Sequence, residues 1–132
     1  MDAIEIAKQY NKLGVPGFVA RAITYDSGSE RFKSLACNGL MLHVTDKQKF
    51  RPVLAAVTLI KLVRDAHPEY FTWSTYPTHV NPTGQGHLDK LLGIASAESL
   101  FDVPLNEFLP MMQRFSDCTE WRSEVTPYLL YT

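Results

Sequence analysis

Hydrophobic positions along the chain fall into short runs with the period of strands and longer runs with the period of helices. The densest region spans residues 40–63. Leu40 to Val44 is an almost unbroken apolar run, which predicts a strand covered on both faces. Thr45-Asp46 then supply side-chain oxygens for the unpaired N–H groups of a helical turn near Lys47–Phe50. Pro52 has a fixed φ and no N–H, so it suits the first turn of a helix, predicted over Arg51 to Asp65. Val53, Val57, Ile60 and Val63 recur at helical spacing, and Leu54, Leu59 and Leu62 widen the stripe. Only Thr58, Lys61, Arg64 and Asp65 are left to meet water, so this is expected to be a long central helix.

The flanking patterns are less dense. Ala3, Ile4, Ile6, Ala7, Tyr10 and Leu13 sit on one helical face, with Asp2 placed to cap and Gly14 to end the helix. Val15-Pro16-Gly17 is a turn, and Phe18 to Tyr25 is rich in β-formers. A polar loop at Asp26-Ser27-Gly28-Ser29-Glu30 and a lead-in from Phe32 to Ala36 join that strand to the central one. His67-Pro68 stops the long helix, and the aromatic stretch Tyr70 to Trp73 reads as a third strand. Ser74 to Gly86 is long and irregular, the best candidate for a surface that touches something. Short helices follow at His87–Gly93, after Ser96 as a cap, and from Pro104 through the stripe Leu105, Phe108, Leu109 and Met112, with Pro110 expected to kink or restart the last. Phe115, Cys118 and Trp121 continue an apolar face, and Tyr128 to Tyr131 ends as a strand or plug. The fold class is therefore α/β (α+β), a small mixed sheet of about three to five strands with a long central helix and shorter carboxy-terminal helices. Residues 1–132 are read as one domain.

Composition narrows the function classes mainly by exclusion. A hydrophobic fraction of 45% and a charged fraction of 20% are those of an ordinary globular protein. A net charge of -1 offers no electrostatic case for nucleic acid or an anionic membrane. No apolar stretch is long enough to cross a bilayer, and Met1-Asp2-Ala3-Ile4-Glu5 lacks the order of a signal peptide, so a cytoplasmic chain is expected. Cys37 and Cys118 are too few and too far apart for a disulfide framework or zinc knuckle, and read as two semi-buried thiols. Asn81-Pro82-Thr83 fails as a glycosylation site because of its proline.

Candidate chemistry is sparse. The histidines His43, His67, His79 and His87 share no helical face, and neither HExxH nor CxxC occurs, so neither a metal nor a cofactor is expected. His43, inside an apolar strand, reads as a hydrogen-bonded core residue. Asp46 reads as a cap, and Asp89 sits where a helix dipole favours it. Arg21 and Arg51 are the right type to hold a ligand carboxylate bidentately.

Six short motifs in order carry a resemblance over nearly the full length. They are Leu13-Gly14-Val15-Pro16-Gly17 with Arg21, Cys37-Asn38-Gly39-Leu40 with His43-Val44-Thr45-Asp46, and Phe50-Arg51-Pro52-Val53. Pro68 with Phe71 and Trp73, Leu88-Asp89-Lys90-Leu91-Leu92-Gly93, and Tyr128-Leu129-Leu130-Tyr131 complete the set. The chain resembles the carboxy-terminal half of the NamZ (YbbC-like) family of exo-β-N-acetylmuramidases. Ala20, Ala22, Asn38 and Val125 depart from the family pattern. The resemblance implies an auxiliary domain that completes a peptidoglycan-glycan cleft, alongside a Rossmann-like catalytic domain in cis or in trans that this chain lacks. No catalytic residue is therefore assigned. It implies substrate contacts from Arg21, Thr45, Asp46, Arg51, Tyr76, His79 and Asp89, and a parent that is cytosolic or exported through a signal upstream. A free-standing binding module is the alternative, and an independent enzyme using Asp46, Asp89 or His43 a third reading.

Overall fold

The computed structural model describes residues 1–28 and 35–131. Its elements are α1 (Ala3–Lys12), β1 (Phe18–Asp26), β2 (Ala36–Val44), α2 (Pro52–Ala66), α3 (His87–Leu92), α4 (Ala97–Leu100), α5 (Leu105–Phe115) and α6 (Trp121–Val125), then a 3-10 turn at Thr126–Tyr128. The class is mixed α and β. Part of the expected hairpin connection, Ser29-Glu30 and the lead-in from Phe32, lies outside the described residues.

Among the described residues the sheet has two strands, not three to five. β1 and β2 pair antiparallel from Phe18 opposite Val44 to Asp26 opposite Ala36. One face buries Phe18 and Ala20, with Leu40 and Leu42 packed partly against the core. The other is open: Val19 is 49%, Tyr25 49% and Met41 41% exposed, and His43 faces solvent instead of the core. β2 is therefore not covered on both faces. An apolar run reports affinity for a covering layer, and does not say whether one is present.

A side chain replaces a third strand at the other edge. The Asn11 amide donates to the Ala20 carbonyl at 2.9 Å and accepts from the Ala20 N–H at 2.8 Å, so α1 is fastened to the outer edge of β1. Asp2 caps α1 through Ile4 N–H at 3.1 Å and Glu5 N–H at 3.0 Å. Ile4, expected on the apolar face, is exposed.

The turn from sheet to α2 depends on a glycine. Gly17 has φ +91, and a Cβ there would lie 2.5 Å from Phe50 Cα. Its carbonyl accepts from the Thr45 N–H at 2.9 Å and the Asp46 N–H at 3.2 Å, closing the ribbon. Asp46 Oδ1 in turn accepts from Gln48 N–H at 3.0 Å and Lys49 N–H at 3.3 Å, so it caps this one turn, and Pro52 opens α2 separately.

α2 runs for 15 residues and buries Leu54, Ala55, Val57 and Leu62. Two residues expected to meet water do not. Thr58 is fully buried and returns its hydroxyl to the Leu54 carbonyl at 2.7 Å. Lys61 is 3% exposed, with its ammonium on Asp65 at 2.7 Å and on the Phe101 carbonyl at 3.0 Å. Asp65 is one turn away, but the Phe101 carbonyl lies forty residues along the chain, where local periodicity cannot register it. Arg64 also donates to the Phe101 carbonyl and pairs with Asp102.

Tyr70–Trp73 is not a strand. Phe71 meets Trp73 edge-on at 4.9 Å, Trp73 meets Phe101 at 5.1 Å and Phe101 meets Phe108 at 4.9 Å, so these rings plug the carboxy-terminal core instead of pairing backbone. Leu129 to Tyr131 is likewise no strand: it follows the 3-10 turn with its side chains exposed. α5 passes through Pro110 without restarting.

On the other side of α2, Tyr10 packs edge-on against Phe18 at 4.9 Å and donates its hydroxyl to the Ala55 carbonyl. Burial pushes the phenol well above its usual value, because phenolate would lose its hydration. The folded state thus keeps its proton after the unfolded chain releases it near pH 10, so this contribution is whole below about pH 10 and falls above it. Tyr10→Phe is expected to cost about 1 kcal/mol at neutral pH. It should also flatten the alkaline decline in stability, read from urea midpoints between pH 8 and pH 11 on a scale where the phenol titrates near about 10.

Candidate functional site

The sequence-derived site residues fall into three places. Thr45, Asp46 and Arg51 share the turn at the end of the ribbon. Arg51 donates to the Gln48 carbonyl at 2.9 Å, and Asp46, besides capping, faces Lys49 at 3.5 Å. Both groups keep exposed surface. Arg21 stands on the open face of β1, its guanidinium 3.8 Å from Met41 Sδ.

Tyr76 and His79 belong to the irregular stretch before α3, and this stretch is built rather than slack. Thr78 and Asn81 exchange backbone hydrogen bonds at 2.9 and 3.1 Å, which puts His79 and Val80 at the tip of a tight turn. Gly84 donates to the Asn81 carbonyl at 2.9 Å and accepts from the Tyr76 N–H at 3.2 Å. Asn81 is 7% exposed, and its side-chain amide donates to the Gln85 carbonyl at 3.1 Å. The would-be glycosylation asparagine is thus the hub of the loop. Tyr76 stays largely exposed, its ring 4.7 Å from the His87 ring beneath it. His87 Nδ1 is buried without a hydrogen-bond partner, so the imidazole serves as an apolar support at that atom.

Asp89 is committed elsewhere. Its carboxylate accepts from Ser96 N–H at 3.0 Å and Ala97 N–H at 2.8 Å. Ser96 was expected to cap α4 but makes no side-chain cap bond, and it sits at φ 56. A carboxylate from the previous helix does that work, which local sequence could not indicate.

Among the grooves outside these places, two lie in the carboxy-terminal region. One of about 740 Å³ runs along α5 between Glu107 and Phe115, and one of about 560 Å³ runs from Arg114 to Trp121 and Glu124. Asp117 lines the second. Donation by the Thr119 hydroxyl, then by its N–H, holds the Asp117 carboxyl below the usual value, with Arg51 adding a smaller pull. A general acid needs the opposite shift. Asp117 was not foreseen, since only the fold brings it near Arg51. Cys37 and Cys118 are free thiols, Cys37 partly buried and Cys118 exposed. Among the described residues no His, Cys, Asp and Glu group could hold a metal ion, and no helix is long and apolar enough to cross a membrane.

Comparison with known proteins agrees with the pattern of motifs. The family described as exo-beta-N-acetylmuramidase NamZ, C-terminal, matches residues 1–131. Among individual relatives, peptidoglycan beta-N-acetylmuramidase NamZ of Bacillus subtilis (strain 168) is 27% identical over 113 residues. That alignment takes in 85% of this chain but 26% of the relative, so the chain spans about a quarter of the relative's length. No solved structure matches.

Proposed function

The chain belongs to the NamZ carboxy-terminal family, and from that premise we propose that it is the auxiliary domain of a peptidoglycan exo-β-N-acetylmuramidase. In this reading residues 1–132 form one domain that completes a glycan cleft whose catalytic groups lie on a separate, Rossmann-like domain. The observation that carries it is the open face of the ribbon, where Val19, Tyr25 and Met41 stay uncovered in a chain spanning 26% of its relative. An open sheet face that carries Val19, Tyr25 and Met41 beside Arg21 and His43 suits a surface that another part of a protein covers.

The loop around Asn81 supports the same reading. An exposed tyrosine on a fixed support is a stacking platform for a sugar ring, and polar groups around such a platform set orientation. Tyr76 is the platform, with His79 at the turn tip beside it. Arg21 and Arg51 are the candidates for a lactyl carboxylate, which suits a guanidinium fork. Thr45 and Asp46 would meet sugar hydroxyls, and Asp89 acts at one remove by fixing the link from α3 to α4.

The test is release of N-acetylmuramic acid from a chromogenic muramide. The chain alone is expected to be inactive, and activity should appear on adding the part of the Bacillus subtilis relative outside the matched region. Turnover by the chain alone would overturn the proposal. Silence in both arms would favour a free-standing module that binds muropeptides, measured next by titration.

A further inference from the structure

The ribbon ends at β2 on an edge that pairs with no further strand among the described residues. The phase of the ladder follows from Asn11. Its amide takes both backbone groups of Ala20, so Ala20 presents them away from β2. Leu42, opposite Ala20 in the register, therefore presents its own away from β1, and by alternation so do Leu40 and Asn38. The Thr45 N–H bond to the Gly17 carbonyl fixes the same phase from the other end. Among the described residues, the backbone groups of Asn38, Leu40 and Leu42 have no partner beyond the ribbon.

Natural sheet edges are normally blunted by lysine, proline, bulges or inward charges. The nine residues Ala36–Val44 carry no Lys, Arg, Asp, Glu or Pro. β1 has Asn11 on its edge, whereas β2 is long, regular, uncharged and open.

We propose that β2 is a dimerisation strand, which pairs antiparallel with β2 of a second copy to give a four-stranded sheet in the order β1-β2-β2-β1. A second copy is the occupant that the strand itself fits. Leu40 is the midpoint of Ala36–Val44, and it is one of the residues whose backbone faces outward. A twofold axis at Leu40 sets it against its own copy as a hydrogen-bonded pair. Asn38 then meets Leu42 and Ala36 meets Val44, so every outward donor finds an acceptor along the whole strand. The side chains also agree with self-pairing. His43 falls opposite Cys37 rather than another His43, and Met41 falls opposite Gly39. Pairing relieves the weakness of a two-stranded ribbon, which is marginal without further strands.

The experiment uses the chain alone and is independent of muramidase activity. Sedimentation equilibrium from about 1 μM to about 1 mM, the range in which a modest interface becomes visible, should show the mass rising from 14.9 kDa towards twice that value. Amide exchange in the dimer should slow at Asn38, Leu40 and Leu42, while Gly39 and Met41, already bonded to β1, stay unchanged. Leu40→Pro removes an outward N–H and leaves the β1 ladder intact, and Met41→Lys brings two charges near the axis without touching the core. Each should weaken the dimer about tenfold or more: the proline removes two hydrogen bonds, one donated by each copy, and the lysine adds one repulsive pair. A mass fixed at 14.9 kDa throughout would overturn the proposal. So would a dimer in which Asn38, Leu40 and Leu42 exchange as freely as in the monomer.

Discussion

Phe101→Ala will remove a large part of the protein's margin of stability, about 3–5 kcal/mol out of a total that for domains of this size runs to about 5–15 kcal/mol. The ring is fully buried, edge-on to Trp73 at 5.1 Å and tilted against Phe108 at 4.9 Å. Deleting it loses the transfer energy of the ring and leaves a cavity that two large neighbours cannot fill without leaving their own contacts. The same residue's carbonyl accepts from both Lys61 and Arg64, so a looser side chain also loosens the anchor of a nearly buried ammonium. Urea unfolding followed by far-ultraviolet circular dichroism gives the number. A loss under about 1 kcal/mol would mean that the core refills the space, as fully relaxed cavities do. Lys61→Met, similar in volume, is a useful contrast: it removes a charge without opening a hole, so its cost should be smaller.

Gly84→Ala will act on function more than on stability. Gly84 has φ +68, and a Cβ there would lie 2.5 Å from the backbone nitrogens of Tyr76 and Pro77. The left-handed backbone costs an alanine about 1–2 kcal/mol, and the collision obliges the loop to move. Because the loop holds itself together through Thr78, Asn81 and Gly84, the displacement should stay within it and carry Tyr76 off the His87 ring. Misplacing a positioning group by about an ångström typically costs up to about a hundredfold in rate. The expected result is a loss of roughly tenfold to a hundredfold in muramide turnover by the reconstituted pair, on that same scale. Unfolding should stay cooperative. Unchanged turnover, with the loop visibly shifted in its amide spectrum, would remove Tyr76 and His79 from the proposed cleft.

What was legible in the sequence was local. Asp2, Gly14, Asp46 and Pro52 act within a few residues of themselves, and each marks the boundary it was expected to mark. Tyr70 to Trp73 was misread because aromatic content raises strand propensity, although here the rings seek a core and the backbone finds no neighbour. Lys61 does not meet water as its spacing suggests, because the Phe101 carbonyl that helps to bury it comes from elsewhere in the chain. Asp89 does lie in the first turn of its helix as expected, and its further bonds to the Ser96 and Ala97 amides are again set by the fold. The site residues are picked out by type, and type alone does not reveal that Asp89 also accepts from the Ser96 and Ala97 amides or that Asn81 governs the loop.

Asn11 has a bearing on assembly that goes beyond holding α1. Sheets whose two edges are both free can add copies without end, since each addition exposes another edge like the first. Here a strand approaching β1 would have to displace an amide that already satisfies the Ala20 N–H and carbonyl. Growth is therefore one-sided, and a one-sided sheet that joins its own copy has used up its means of growing. One asparagine on the first helix thus separates a finite particle from a fibre.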